Sequence, residues 1–106
     1  MTPYTLIPNL EASIAAIPPD SIVSRTVYQG ETLRIILFGF AAGQELSEHT
    51  SAKEVILHFL RGEATVTLGQ DQFTVAPGAV IRMEPNLPHS VYANTETLMA
   101  LHMIGR

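Results

Sequence analysis

Four histidines, His49, His58, His89 and His102, and no cysteine set the chemistry this chain of 106 residues can attempt. Without thiolates there are no disulfides and no Cys-held zinc or iron–sulfur centre, so a metal would have to be held by imidazole or carboxylate. Neutral imidazole suits Zn, Ni, Mn, Fe or Cu. Glu54 precedes His58 in "EVILHFL", and residues with that even spacing share one face of a strand, so the two turn inward together or stay out together. Each has a plainer use. His58, between Leu57 and Phe59, and His102, in "LMALHMI", suit a core or interface with their ring nitrogens hydrogen-bonded, and Glu54 suits a solvated surface. Thr50 and Ser51 beside His49 suggest a nucleophile and base, but strand neighbours point to opposite faces and no acid is placed to orient the base. Serine hydrolysis is not expected.

The elements that must position these groups are short. Leu10, Ile14 and Ile17 recur at helical spacing, with Asn9 at the start and Pro18-Pro19 as a stop, which predicts a helical arm over about 9–17. From there the pattern is β-rich: Ile22–Tyr28, Thr32–Phe40, Glu54–Leu60, Glu63–Gly69, Asp71–Ala76, Ala79–Glu84, His89–Asn94 and Thr97–Ile104, divided by turns at Gly30, Gly43, Gly62, Gly69, Pro77-Gly78 and Pro85–Pro88. Seven or eight strands at this spacing, with no helix after any of them, predict an all-β antiparallel sandwich or barrel and argue against a dinucleotide fold. The reading is a single domain over 1–106, its barrel over about 21–104.

With 46% hydrophobic and only 15% charged residues, the chain can bury a core and leaves a charge-poor surface, which predicts a homodimer. A net charge of −4 and only 6 Lys and Arg offer no basic stripe, so nucleic acid is not an expected partner. No apolar run approaches a membrane span and the first residues lack a positive n-region, so the expectation is a cytoplasmic protein without membrane association.

Two segments carry a resemblance. Gly43-x5-His49-x-Ser51 followed by "EVILHFLRGEATVTLG", and "PGAVIRMEPNLPHSVYAN" from Pro77 to Asn94, resemble the two spaced motifs of the cupins. The resemblance implies a double-stranded β-helix, or jelly-roll barrel, with His49 and His89 brought to one cavity as metal ligands. It also exposes departures. The second histidine of the first motif is Ser51, and counting back seven from Gly62 puts Val55 where the family has its metal glutamate, with Glu54 one residue early.

If position 55 faces the barrel interior, Val55, Leu57 and Phe59 line it and Glu54, Ile56, His58 and Leu60 take the other face. A β-bulge between His58 and Gly62 would reverse this and bring Glu54 and His58 inward. His102, on the last strand, is a further candidate ligand. Two functions follow. One is a small barrel that binds a small molecule in its cavity, the metal site depleted and the pocket lined by Ser51, Val55, Leu57 and Phe59. The alternative is a metal-dependent enzyme of oxygenase or isomerase type, with a His-held divalent ion as Lewis acid.

Overall fold

A computed structural model describes residues 3–106. Nine strands follow one another: β1 (Ile22–Gln29), β2 (Leu33–Phe40), β3 (Glu45–His49), β4 (Glu54–Arg61), β5 (Ala64–Leu68), β6 (Asp71–Val75), β7 (Val80–Met83), β8 (His89–Ala93) and β9 (Thr97–Ile104). They form a five-stranded sheet in the order β1-β2-β9-β4-β7 and a four-stranded sheet in the order β3-β8-β5-β6. Every pairing is antiparallel. The chain changes sheet at nearly every connection from β2 onward, which gives the double-stranded β-helix that the strand pattern and motifs predict.

The core lies between the sheets, and binary patterning puts it there. Along β4 the side chains of Val55, Leu57 and Phe59 are buried while those between them are half-exposed. They meet Val66, Val91 and Ala93 of the facing sheet and Phe40, Met83, Met99 and Leu101 of their own. Gly62 closes the β4–β5 turn with φ +85°, and a Cβ there would lie 2.0 Å from the Glu96 carbonyl oxygen. Only glycine fits both the left-handed backbone and that approach.

The predicted helix over 9–17 shrinks to one 3₁₀ turn, Leu10–Ser13, and Ile14 is already extended. Two turns of marginal helix cannot nucleate alone, and Ile17 before Pro18 is biased away from α. Asn9 makes no side-chain cap. The arm is held by tertiary contacts instead: Arg25 Nη1 donates to the Ser13 carbonyl at 3.2 Å, and Ile17 sits over Gly39, where a Cβ would come within 2.8 Å of its Cγ1. That cover explains why Leu37, Leu98 and Ala100 are buried although their register places them on the outer face of the large sheet.

The strand β3 was not among those expected. Its sequence, ELSEH, is polar and mostly exposed, so it carries no apolar alternation to read. No helix among the described residues is long and apolar enough to cross a membrane.

Candidate functional site

The site begins with an irregularity in that strand. Leu46 pairs with Val91 and His49 with His89, so three residues of β3 span two of β8. The extra residue reverses parity, and both Leu46 and His49 face inward. His49 and His89 become a direct cross-strand pair with ring centroids 4.2 Å apart and planes inclined at 58°.

Backbone carbonyls fix both rings. His49 Nδ1 donates to Ser47 O at 2.7 Å and His89 Nδ1 donates to Leu87 O at 2.9 Å. A carbonyl only accepts, so each Nδ1 carries the proton and each neutral ring keeps its Nε2 lone pair free. His89 is 4% exposed. Burial holds its pKa below the ordinary value, and the neighbouring His49 adds to that against the opposing Leu87 carbonyl. At neutral pH His89 is therefore an uncharged acceptor.

The facing sheet supplies the opposite wall. Successive pairings set Arg34, Met103, Val55 and Met83 side by side across β2, β9, β4 and β7. This row lies at the same end of the barrel as the histidines, because β3 ends at His49 where β4 begins at Glu54, and Met83 leads through one loop to His89. Val55 lies in the row nearest the histidines, and at 2% exposed it is itself part of the core. Leu57 and Phe59, placed in the pocket by the sequence reading, lie one and two rows deeper and are core.

Ser51 lies in the loop between β3 and β4: its Oγ accepts from the Lys53 amide at 3.2 Å, and its carbonyl accepts from the Asn86 amide at 2.7 Å, which ties this loop to the one between β7 and β8. Glu54, His58 and His102 do not join the pair. An irregularity does interrupt the β4–β9 ladder between Phe59 and Arg61, within the stretch where a bulge was expected to turn Glu54 and His58 inward, yet Val55, Leu57 and Phe59 keep the inner face and Glu54 and His58 stay outside. Glu54 accepts from Arg82 Nε at 2.6 Å on that outer face. His102 lies between Ile35 and Ile56 on the same outer face, its Nδ1 enclosed without a hydrogen-bond partner. Arg34 had no place in the sequence reading, although its even spacing from Phe38 and Phe40 on β2 was a signal for the inner face.

The model of the cupin domain family matches residues 36–105, more than half of the chain. The chain belongs to the cupins. A conserved protein of unknown function from Streptococcus pyogenes is 30% identical, with 99% of this chain and 91% of that one covered at a TM-score of 0.85. A cupin superfamily protein from Desulfitobacterium hafniense has the same TM-score of 0.85 at 22% identity, over 92% of this chain and 88% of that one. Salicylate 1,2-dioxygenase from Pseudoaminobacter salicylatoxidans, in a structure with gentisate, is 14% identical at a TM-score of 0.76; the match covers 89% of this chain and 28% of that one, and shows the fold alone. A search of curated proteins finds no match.

Against this family background, the donor set of the present cupin is small. Among the described residues no group of three His, Asp or Glu is placed to hold a metal. Two neutral imidazoles supply neither the third protein ligand of an open catalytic site nor any charge to offset a divalent ion. They fit an exchangeable ion, not a resident one.

Proposed function

We propose that this cupin binds a small molecule at the mouth of its barrel, with His49 and His89 as paired polar anchors and Val55, Met83 and Met103 as an apolar wall. The observation that carries the reading is the pairing of the two rings: both Nδ1 protons are committed to backbone carbonyls, which leaves an acceptor Nε2 on each of two imidazoles whose centroids are 4.2 Å apart. A ligand that donates a hydrogen bond satisfies them, and the methionines adapt to its shape. The test is elemental analysis of protein purified without an affinity tag, followed by calorimetric titration with zinc, nickel and manganese. Substoichiometric metal and weak, reversible binding are expected. One tightly held equivalent would overturn the reading.

The same geometry supports the alternative of a metal-dependent enzyme, because a ligating histidine commonly has its other nitrogen tied to a carbonyl. Such an ion would keep several positions open for substrate, and a tight equivalent in the elemental analysis would select this reading.

A second copy of the chain is the proposed partner, docking on the outer face of the large sheet. Beyond the arm this face presents Ile56, Leu60 and Ile104 half-exposed and Val80 62% exposed. The absence of cysteines suits a cytoplasmic site of action.

A further inference from the structure

Arg34 occupies an unusual place for a guanidinium. Its parity is that of Ile36, Phe38 and Phe40, whose side chains face the barrel interior, and its ladder partners are Gln29 and Met103. It ends the mouth row that continues through Met103 and Val55 to Met83. A partly buried cation loses hydration and needs a counter-charge to recover it.

None is paired with it among the described residues. Among the described residues, Arg61, Arg82 and Arg106 each pair with a glutamate, and Arg25 donates to a backbone carbonyl. Arg34 Nη2 reaches only the neutral hydroxyl of Thr26, at 3.3 Å. Its Nε is enclosed and has no acceptor at all.

The geometry points to Arg34 as the anion-recognising residue of the mouth, and so to a small carboxylate with an apolar middle and a hydroxyl at its far end as the class of ligand; this rests on the binding role proposed above. The carboxylate takes the guanidinium edge in the forked, charge-assisted geometry that arginine favours. Met103, unbranched and flexible beside it, is the wall that moves to let an oxygen reach Nε. The middle of the ligand lies on Val55 and Met83. At the opposite sheet its hydroxyl donates to the free Nε2 of His49 or His89.

The experiment uses chelator-treated protein, so that no metal contributes, and four probes: 4-hydroxybenzoate, its neutral analogue 4-hydroxybenzamide, benzoate and inorganic phosphate. Binding is followed by calorimetry and by nitrogen-15 shifts of Arg34 Nε and the histidine rings. Wild type is expected to bind 4-hydroxybenzoate with shifts at Arg34 Nε and both imidazoles, roughly tenfold or more tighter than the amide. Benzoate should shift Arg34 but leave the rings. Arg34→Met, which keeps the stem and removes the charge, should lose that tenfold preference with the histidine tautomers intact; Arg34→Gln repeats the test if the first variant fails to fold. Equal affinity for acid and amide, or an Arg34→Met protein that binds the acid as wild type does, overturns the inference and leaves the mouth reading standing. Phosphate bound as tightly as 4-hydroxybenzoate overturns the carboxylate as the class. No shift at either histidine from any organic probe would sink the mouth reading as well.

Discussion

Val55→Glu restores the acidic position that this cupin lacks, and its consequences can be worked from the structure. Val55 is 2% exposed and its ladder neighbours are Met83 and Met103, so a carboxylate there loses water and finds thioethers. Burying such a group without a full set of partners costs about 3 kcal/mol in protein terms, with Arg34 two strands away as the partial offset. For a domain of this size 1 kcal/mol moves Tm by about 4–8 °C, so Tm should fall by about 12–24 °C in chelator. The loss is tolerable against a total stability of about 5–15 kcal/mol. A divalent ion should reverse it, because the new carboxylate would add a charged donor to two adjacent imidazoles whose Nδ1 atoms alone are tied to the backbone. Zinc at about one hundred times its dissociation constant returns about 2.7 kcal/mol, or nearly the whole deficit. The assay is a melting series of wild type and variant with chelator and with graded zinc, nickel and manganese. The expected pattern is a low Tm in chelator for the variant, a saturable rise with metal, and a much smaller rise for wild type. A variant that melts like wild type in chelator would show that Val55 is not buried at the mouth. A variant that loses stability and recovers none with any metal would show that position 55 does not converge with His49 and His89.

Three further outcomes are expected. His89 titrates below its ordinary range because the fold buries it, so the folded state binds fewer protons than the unfolded state in that window; stability is complete above about pH 6.5, falls as pH drops through the depressed folded value, and this part of the Tm-against-pH curve should flatten in His89→Ala. Gly62→Ala sets a Cβ 2.0 Å from the Glu96 carbonyl at φ +85°, and urea unfolding should show a loss of about 3 kcal/mol or more, or no folded protein. Ile56→Asp puts a charge on the outer face proposed for a second copy, so sedimentation should show a dimer of wild type converted to an 11.5 kDa species; a monomeric wild type at micromolar concentration would remove that partner.

The barrel was legible because its strands announce themselves twice, by alternation and by turn residues. In β4 both signals agree, and the inward set Val55, Leu57 and Phe59 follows from parity alone. The convergence of His49 and His89 came from the spaced motifs, since residues 40 apart with no shared local pattern have no other signature in the sequence. What could not be read was the device that aims His49. A bulge in a polar strand leaves no trace in hydropathy, and without it His49 and Leu46 would point to opposite faces. The arm misled for the opposite reason. Its apolar spacing is helical, but the contacts at Gly39 and Ser13 that anchor it are distant in sequence, and they hold an extended chain over Leu37, Leu98 and Ala100.

The departures at the mouth have one electrostatic consequence that links metal to anion. A cupin mouth with a glutamate at position 55 carries a negative group that neutralises a cation and repels an acid. With Val55 in its place that carboxylate is missing, and Arg34 is the inner-face charge on which the proposed anion site relies, so the mouth is expected to favour anions over cations. Val55→Glu should therefore do two things in the same protein: raise affinity for zinc and lower affinity for 4-hydroxybenzoate in chelator, because the new carboxylate competes for Arg34 two strands away, about 10 Å between backbones at the usual strand spacing. Competing ion pairs at that range shift affinity by about tenfold in the partly buried mouth and lose most of that effect in 1 M salt. Calorimetry of the variant and wild type with 4-hydroxybenzoate, at low and high salt, measures the trade. If zinc affinity rises while carboxylate affinity and its salt dependence stay at the wild-type values, Arg34 and position 55 do not share a cavity, and the anion site lies elsewhere than the histidine mouth.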